Sequence, residues 1–430
     1  MRRNLRKTIG AGVTAILAAS VLSACGGGSG GTPTITWYFN PDSGGQTALA
    51  KQCQAQANGK YRIATQVLPS DASAQRQQLV SRLTAKDPSI GFMSLDPVFV
   101  AEFADAGFLA DVPEQYRSTF TQDIVKPSVE ASTWKGKLVA APFWANTQLL
   151  WYRKDLVSKV PGLAAKLKNG TETWDDVIAA AKSQRRDIGV QASLYEGYTV
   201  WINALVAGAG GQILDNPGAD AKQTKLGLDT TAGREAAAVI SKLAAAKVGG
   251  PALSSTNEDA ALKLFENPSS SMFMTIWPYV WGAMKTDGVK FRDQVGWTYY
   301  PRTVATKQSR PPFGGIELGV SKYAANQDAA WDAIRCIRTA ENQAKYFLSS
   351  SNPPANETAY SNADVKKNYP MAALIRESLN RAAARPKSQY YGDLSTALQQ
   401  SFSPPQSVNS STPKDAETFI LQVLKGEKLL

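Results

Sequence analysis

Strand patterns alternate with helix patterns in the chain directly after residue 33, and this order is what most constrains the fold. The strand patterns are TITWYF (34–39), YRIATQVL (61–68) and SIGFMSLD (89–96). The segment after the second strand carries Leu79 and Leu83 at helical spacing, on one face. Because strands alternate with helices, we expect an α/β fold in which helices flank a largely parallel sheet.

Polar residues after these strands are the first candidates for a ligand site. In open α/β sheets, ligands bind outside the carboxyl ends of the strands. Asp42, in the loop 40–45, and Asp96 both follow predicted strands. Asp96 also precedes a predicted helix, so capping of that helix is an equally good interpretation of this residue.

The rest of the chain is richer in helix patterns. The strand KLVAAPF is predicted to break at Pro142, and later strand patterns begin at residues 271, 295 and 313. About 400 residues follow the N-terminal segment, and a chain of this length favours two or more domains or lobes.

The N-terminal segment predicts export and a lipid anchor. A basic stretch from Arg2 to Lys7 precedes the apolar run IGAGVTAILAASVL, which is typical of a signal peptide over residues 1–24. The run ends in LSAC, so Cys25 is the candidate for lipidation, and the Gly/Ser-rich residues 25–33 are a candidate tether. We therefore expect a protein on the outer face of the cytoplasmic membrane. An ordinary signal peptide with an incidental cysteine is the alternative.

Composition argues against several classes of function. The formal net charge is +11, but the basic residues are scattered, so we expect no nucleic-acid partner. The chain has no His, which removes Ser-His-Asp and Cys-His catalysis and every His-ligated metal site. We expect neither a metal nor a cofactor.

Two cysteines remain once Cys25 is assigned to the lipid. Cys53 and Cys336 form an even pair in an oxidising compartment, which predicts a disulfide. Two buried free thiols are the alternative.

Aromatic residues recur beside amides and carboxylates. The chain has 10 Trp and 15 Tyr, and the neighbours include Trp144/Asn146, Tyr195/Glu196 and Trp277/Tyr279. A sugar presents apolar C–H faces and a ring of hydroxyl groups, so its site needs flat aromatic surfaces beside fixed polar groups. The repetition near predicted strand ends favours a sugar site, whereas a single such pair would favour a core position.

Two further features admit a binding and a structural interpretation. Gly314-Gly315 opens a strand, where glycine allows a ligand to approach the backbone, although a simple turn is the alternative. The guanidinium of Arg385 can bind two hydroxyl groups at once, although a surface salt bridge is the alternative.

Carboxylates leave a glycoside hydrolase open as a different class of function. That chemistry needs two carboxyl groups about 5 to 10 Å apart across the scissile bond. Asp96, Glu196 and Glu258 are available, but no local motif joins two of them to one site. A structural or adhesion lipoprotein is a third class, and it would show no saturable binding of small sugars.

Longer motifs, taken in order, resemble a known family. They are the LSAC motif, GFMSLDPVFVAEFADAGFLADV, GKLVAAPFWANTQLLWYRKDL, GYTVWINALVAGAGG, ALKLFENPSSSMFMTIWPYVWG and PFGGIELGVSK. Their order is similar to that of the sugar-binding proteins of ABC importers, of the maltose-binding type. NTQLLWYRKDLV, AIRCIR and YPMAALIRESLNRAAARP followed by YY resemble more narrowly the trehalose-binding lipoproteins of actinobacterial trehalose-recycling importers.

The resemblance implies a monomeric, non-enzymatic receptor whose two α/β lobes close on a disaccharide. Trehalose is the first choice, and ABC permease and ATPase subunits are the implied partners. The implied chain crossings lie near Pro142, near Pro301 and after the helix of Cys336, which puts Cys53 and Cys336 in one lobe. Lobe I would comprise residues 34–142 and 301–345, and lobe II residues 143–300 and 346–430.

The resemblance also assigns ligand contacts where the motifs match. The assigned residues are Asp96, Asn146, Glu258, Trp277, Gly314, Gly315 and Arg385, with Trp144, Glu196 and Asp42 as further candidates. FNPDSGGQ and LYEGY match the trehalose type only loosely. Selectivity for a related disaccharide, such as a maltose-type α-glucoside or a modified trehalose, is therefore the alternative.

Overall fold

The computed structural model describes residues 31–430. The predicted signal peptide, the lipidation candidate Cys25 and residues 25–30 of the predicted tether lie outside the described residues. The strands are β1 (Thr34–Phe39), β2 (Arg62–Val67), β3 (Phe92–Leu95), β4 (Thr133–Trp134), β5 (Lys137–Leu138), β6 (Ala141–Thr147), β7 (Leu149–Arg153), β8 (Asp187–Gly189), β9 (Ser271–Ile276), β10 (Val295–Thr298) and β11 (Phe313–Val320).

Helices occupy most of the intervening segments. They are α1 (Gly45–Gln56), α2 (Ala72–Thr84), α3 (Val100–Asp105), α4 (Glu114–Thr121), α5 (Lys126–Ala131), α6 (Lys154–Val157), α7 (Leu163–Asn169), α8 (Trp174–Ser183), α9 (Glu196–Gly208), α10 (Thr231–Ala245), α11 (Glu258–Glu266), α12 (Val280–Thr286), α13 (Gln327–Ile337), α14 (Ala340–Ser350), α15 (Ala363–Asn368), α16 (Ala372–Leu379), α17 (Tyr391–Phe402) and α18 (Thr412–Leu424). None of those within residues 31–430 combines the length and the apolar character that a bilayer crossing requires.

The first sheet has five strands in the order β2-β1-β3-β11-β6. β1 pairs in parallel with β2 and β3, and β11 runs antiparallel to both β3 and β6. β6 therefore runs parallel to β1, β2 and β3, so these four strands end at one edge. Trp37 and Phe39 pack into a cluster on one face and Tyr38 into a cluster on the other. Covering of both faces is usual for a mainly parallel sheet, and the α/β prediction is confirmed.

The second sheet has four strands in the order β10-β7-β9-β8. β8 and β9 are parallel, whereas β7 is antiparallel to β9 and to β10. Leu150 packs into one core cluster, and its neighbours Leu149 and Trp151 pack into another. The alternation of side chains along β7 thus contributes to the core on both faces of the sheet.

The chain passes from the first sheet to the second through Gln148, the residue between β6 and β7. β6 contains Pro142 and pairs with β11 as far as Thr147, so the predicted strand break at Pro142 is wrong. Proline is tolerated because β6 is an edge strand and its pairing with β11 is irregular at this point. The limits of the two lobes stay a prediction.

A disulfide joins Cys53 of α1 to Cys336 of α13. Cys53 is fully buried in the same core cluster as Trp37 of β1 and Ile334 of α13. The bond therefore fastens together two helices that flank the first sheet. The prediction of a disulfide is confirmed, and the alternative of two free thiols is wrong.

Candidate functional site

The first wall of the candidate site is the edge at which the parallel strands of the first sheet end. Asn40 directly follows β1, Asp96 directly follows β3, and Asn146 lies near the end of β6. β11 begins at the same edge, where Gly314 pairs with Asn146 and Gly315 with the residue before it. All five residues line a cavity of about 350 Å³.

The second wall belongs to the second sheet. Trp277 directly follows β9, and Tyr195 and Glu196 lie where the chain leaves β8 and begins α9. Glu258 is the first residue of α11. Because β8 and β9 are parallel, their carboxyl ends meet at one edge, and all four residues line the same cavity.

The cavity brings together most of the residues that the sequence predicted for the ligand site. They are Asp96, Trp144, Asn146, Glu196, Glu258, Trp277, Gly314, Gly315 and Arg385. Their position is a structural fact, and their contact with a ligand stays a prediction.

Asp42 lies outside this cavity, contrary to the expectation from the sequence. Its two carboxylate oxygens accept hydrogen bonds from the backbone N–H groups of Gly44 and Gln46, each at 2.8 Å. These bonds satisfy the backbone at the start of α1, which is an ordinary role for aspartate. Asn40, two residues earlier in the same loop, lines the cavity instead.

Arg385 connects the two walls. Its guanidinium donates to Asp96 Oδ1 at 2.6 Å and to Glu196 Oε1 at 2.6 Å. Only 2% of its side chain is exposed, so the alternative of a surface salt bridge is wrong. Burial lowers the pKa of Arg385, but Asp96, Tyr391 and Glu196 outweigh it and raise the pKa above its ordinary value. Arg385 therefore remains charged.

Glu196 positions Arg385. Its Oε1 also accepts a hydrogen bond from the Tyr391 hydroxyl, and its Oε2 accepts one from the Ser395 hydroxyl at 2.7 Å. Burial raises the pKa of Glu196, and the charge of Arg385 opposes that rise. Both carboxylate oxygens thus accept hydrogen bonds from protein donors, and contact of Glu196 with a ligand stays a prediction.

Asp96 caps a helix, as one of its two interpretations predicted, and its contact with a ligand stays a prediction. It accepts the Val98 backbone N–H at 3.2 Å and so caps a short 3₁₀ helix, Pro97–Phe99. The same Oδ1 accepts the ion pair from Arg385. The second oxygen of Asp96 has no hydrogen-bond partner within residues 31–430 and belongs to a side chain that lines the cavity.

Glu258 is held by an aromatic hydroxyl. Tyr195 Oη donates to Glu258 Oε2 at 2.6 Å. Burial raises the pKa of Glu258, and the hydrogen bond from Tyr195 opposes that rise. Trp277, Tyr195 and Tyr279 all line the cavity, so this carboxyl group lies among flat apolar surfaces.

The glycine pair at the start of β11 makes room for neighbouring protein groups. A Cβ on Gly314 would lie 2.9 Å from the indole of Trp277. Gly315 has a φ of +140°, and a Cβ there would collide with the backbone of Trp144. Trp277 thus lies close to Gly314, and the close approach of a ligand to the glycine pair stays a prediction. The simple-turn alternative is wrong because both glycines lie within β11.

Some cavity-lining residues carry buried polar atoms without partners. Asn40 Oδ1, Trp144 Nε1 and Arg385 Nε have no hydrogen-bond partner among the described residues. The Oδ1 atom of Asn146 accepts the Thr147 backbone N–H at 2.9 Å, whereas its amide nitrogen has no such partner in that range. Buried polar groups are normally hydrogen-bonded, so these atoms fit a ligand whose groups both donate and accept.

Other lining residues were missed by sequence reasoning. They are Asn40, Ser70, Asp71, Gln75 and Asn352. Ser70 and Asp71 follow β2 as Asp96 follows β3, so the rule that selected Asp96 could have found them. Asn352 follows a helix, α14, and carries no local signal of a site.

The chemistry of the cavity is that of recognition by hydrogen bonds and aromatic contact. No group of three or more His, Cys, Asp or Glu side chains within residues 31–430 is arranged to hold a metal ion. Fixed carboxylates, amides and one guanidinium instead surround half-buried aromatic rings. Such a set of groups can bind a polar organic molecule that carries several hydroxyl groups.

Comparison with known proteins adds sequence relatives. A probable ABC transporter-binding protein of Deinococcus radiodurans is 25% identical over 377 residues, which cover 84% of this chain and 84% of that protein. A maltotriose-binding protein of Pyrococcus abyssi is 24% identical over 307 residues, which cover 68% of this chain and 60% of that protein.

Solved structures share the fold. Maltose-bound MalE3 of T. maritima aligns with a TM-score of 0.78 at 21% identity, over 92% of this chain and 100% of that one. The GacH receptor of Streptomyces glaucescens, solved unliganded and with acarbose, aligns with a TM-score of 0.74 at 18% identity, over 92% and 98%. The fold is therefore that of the two-lobe binding proteins of the maltose-binding type.

A match to a whole family covers most of the chain. Residues 33–344, which include both sheets, match the family described as bacterial extracellular solute-binding protein. The chain belongs to the family of bacterial extracellular solute-binding proteins.

Proposed function

We propose that this protein is the receptor of an ABC sugar importer and that it binds trehalose between two lobes that close by a hinge. The observation that carries the proposal is the composition of the cavity. Half-buried aromatic rings lie beside carboxylates, amides and the buried Arg385. A sugar needs both kinds of surface at once, because its ring faces are apolar and its edge carries hydroxyl groups.

Size and relatives support a small sugar. A cavity of about 350 Å³ is at the lower end of the range of roughly 300–1,000 Å³ for small-molecule sites, which favours a disaccharide over a long oligosaccharide. The relatives include proteins named for maltotriose binding and for ABC transport. Trehalose is preferred because NTQLLWYRKDLV and the segment that carries Arg385 resemble the trehalose-binding type.

Closure of the lobes would couple sugar binding to transport. The first and second walls belong to different sheets, and the direct strand connection between them is Gln148. A sugar that contacts both walls favours the closed state, since only a ligand with higher affinity for one state shifts the equilibrium. The closed receptor would then dock on the permease and ATPase subunits. Lipidation of Cys25 would keep it on the outer face of the cytoplasmic membrane.

The proposal is tested by calorimetric titration of the fragment from residue 26 to residue 430. This fragment contains the compact unit Pro33–Leu430 and hence every described strand and helix. We expect one-to-one binding of trehalose and much weaker binding of maltose and sucrose. Binding of maltose in preference to trehalose would identify a receptor for α-glucosides instead, which the maltotriose-binding relative favours.

The same samples test for enzymatic activity. A receptor returns the sugar intact, whereas a glycoside hydrolase releases reducing sugar. Release of glucose by folded protein, proportional to its concentration, would contradict the proposal.

A further inference from the structure

A second cavity adjoins the first and is chemically different from it. It has a volume of about 940 Å³ and lies among α12, α14 and α15. Tyr279 lines both cavities and so forms a common wall. Nothing in the proposed binding of trehalose uses this second space.

Arg292 is the central charged group of the second cavity. Its Cζ lies 3.4 Å from the ring centroid of Trp281, and its Nε donates to the Trp281 carbonyl oxygen at 3.2 Å. Trp281 is fixed in turn, because its Nε1 donates to the carbonyl oxygen of Asn368 at 3.1 Å. The guanidinium is therefore held flat against the indole and has little freedom to turn away.

The two terminal nitrogens of Arg292 are left for another partner. Within residues 31–430, neither forms a hydrogen bond or an ion pair with a carboxylate. Burial lowers the pKa of Arg292, while the neighbouring Asp293 opposes this only in part. Arg292 is a partly buried guanidinium whose terminal nitrogens meet no carboxylate, so an anion can complete its hydrogen bonds.

Other groups around the cavity favour an anion as well. Lys285 and Lys367 are exposed on its wall, and neither has an ion pair among the described residues. The lining hydroxyl groups add little, because Ser349 and Ser350 both donate to the Tyr346 carbonyl oxygen. Ser351 and Tyr369 share one hydrogen bond, which leaves a single proton of that pair to donate.

Two carboxylates belong to the same wall and reduce its positive charge. Asp287 is already paired with Lys263 at 2.8 Å, which lies outside the lining. Asp364 is exposed. Arg292, Lys285 and Lys367 therefore outnumber Asp364, the lining carboxylate that forms no ion pair among the described residues.

We propose that the second cavity binds a small phosphate oxyanion, with Arg292 as its central ligand and Lys285 and Lys367 at the rim. A guanidinium presents parallel N–H groups that match two phosphate oxygens, and its stacking on Trp281 fixes their direction. The anion is either free phosphate or the phosphoryl group of a sugar phosphate whose sugar part reaches past Tyr279.

The test is calorimetric titration of inorganic phosphate into the full chain and into an Arg292→Gln variant, in a phosphate-free buffer at low ionic strength. We expect saturable binding by the unaltered protein and a loss of affinity of about tenfold or more in the variant, because charge-assisted hydrogen bonds are removed. Arg335→Gln is the matched control, since Arg335 pairs with Asp332 on α13, outside the cavity lining, and we expect it to bind phosphate normally.

Two results would overturn this second site. One is the absence of phosphate binding by the unaltered protein, and the other is equal affinity in the Arg292→Gln variant, which would leave Arg292 as a stacking partner of Trp281 alone. Lys367→Gln is a second test that does not depend on the folding of the Arg292→Gln protein. Lys367 is exposed and has no partner to lose among the described residues, so its replacement should leave the fold intact. It should weaken phosphate binding less than Arg292→Gln does, and unchanged affinity would remove the rim from the site.

A second arm separates the two sources of phosphate and rests on the proposed binding of trehalose. Trehalose 6-phosphate that binds more tightly than trehalose, with the advantage lost in Arg292→Gln, would assign the anion to the sugar. Equal affinity for the two sugars, with phosphate still bound, would assign free phosphate. Phosphate binding without trehalose binding would contradict only the proposed function.

Discussion

The two walls of the first cavity are built in different ways. The first wall presents residues at or next to strand ends, such as Asn40, Asp96 and Asn146, whose positions follow from the sheet. The second wall presents side chains that depend on one another, since Tyr195 holds Glu258 and Tyr391 holds Glu196. The first wall therefore supplies fixed polar groups, and the second supplies aromatic surface and a hydrogen-bonded network.

Arg385 belongs to neither sheet and still joins both walls. It lies between α16 and α17 and pairs with Asp96 of the first wall and Glu196 of the second. The site therefore depends on a side chain whose position cannot be deduced from the order of the strands. Changes at Arg385 should affect both walls, whereas changes at a single wall should have smaller effects.

Replacement of Arg385 should have the largest effect. Arg385→Met leaves Asp96 and Glu196 without their buried cation, which should lower the free energy of unfolding by about 3–5 kcal/mol. Trehalose binding should be lost, because both walls lose their common partner. Urea unfolding and calorimetric titration measure the two effects.

The matched control replaces an exposed arginine in the same way. Arg335 pairs with Asp332 at 2.6 Å, and half of its side chain is exposed (51%). Arg335→Met should therefore change the free energy of unfolding by only about 0–1 kcal/mol. Equal stability of the Arg385→Met and Arg335→Met proteins would contradict the role given to Arg385.

Each sheet also has a buried carboxyl group nearby that should make stability depend on pH. Burial raises the pKa of Glu317, on β11, and that of Glu172, near Thr298 of β10, each to about 8. The folded state then keeps a proton that the unfolded chain releases above its ordinary pKa of about 4.3. The stabilisation is complete below that pKa and is lost as the pH rises through about 8, at about 1.4 kcal/mol per pH unit for each group.

Urea unfolding at about pH 5, 7 and 9 measures this dependence. Glu317→Gln and Glu172→Gln should each reduce the dependence of the free energy of unfolding on pH by the contribution of one carboxyl group, because glutamine does not titrate. A slope that neither variant changes would show that these carboxyl groups do not govern it.

Loss of the aromatic surface on the second wall should weaken binding without unfolding the protein. Trp277 is half-buried, and Trp277→Ala removes a ring from the cavity. Affinity for trehalose should fall by about tenfold or more, since each 1.4 kcal/mol changes affinity tenfold. Trp297→Ala is the control, because Trp297 packs on Trp281 outside the first cavity. Trp297→Ala should lose stability and keep its affinity, and the reverse result would move the stacking surface elsewhere.

Loss of one amide on the first wall should have the smallest effect. Asn146→Ala removes a single hydrogen-bonding group, so trehalose affinity should fall by about fivefold while the fold survives. Asn267→Ala is the control, because Asn267 accepts the Ser269 backbone N–H at 2.9 Å in a turn outside the cavity. Calorimetric titration of both variants compares them, and unchanged affinity in Asn146→Ala would remove Asn146 from the site.

The first wall could be predicted from the sequence because strand order determines it. The order of strand and helix patterns placed Asp96 at a sheet edge, and the structure puts it there. The rule that ligands bind at the carboxyl ends of strands does not tell which residue of the following loop faces the cavity. Asp42 and Asn40 both follow β1, but Asp42 binds the backbone at the start of α1 whereas Asn40 lines the cavity.

The second wall was harder to predict because its groups are positioned by contacts between distant segments. Glu196 lines the cavity, and its ligand contact stays a prediction, but its partners Arg385, Tyr391 and Ser395 could not be predicted because they come from far along the chain. The strand break predicted at Pro142 was wrong for the same reason. β6 tolerates the proline because it is an edge strand, and only the order of the whole sheet shows this.

The central claim is that one sugar contacts both walls at the same time. Calorimetric titration of trehalose into Asn146→Ala, Trp277→Ala and the combined variant, beside the unaltered protein, tests it most directly. We expect one-to-one binding by the unaltered protein, weaker binding by each single variant and the weakest binding by the double variant. Unaltered affinity in either single variant, from folded protein, would show that the sugar does not contact that wall through the changed residue and would contradict the account.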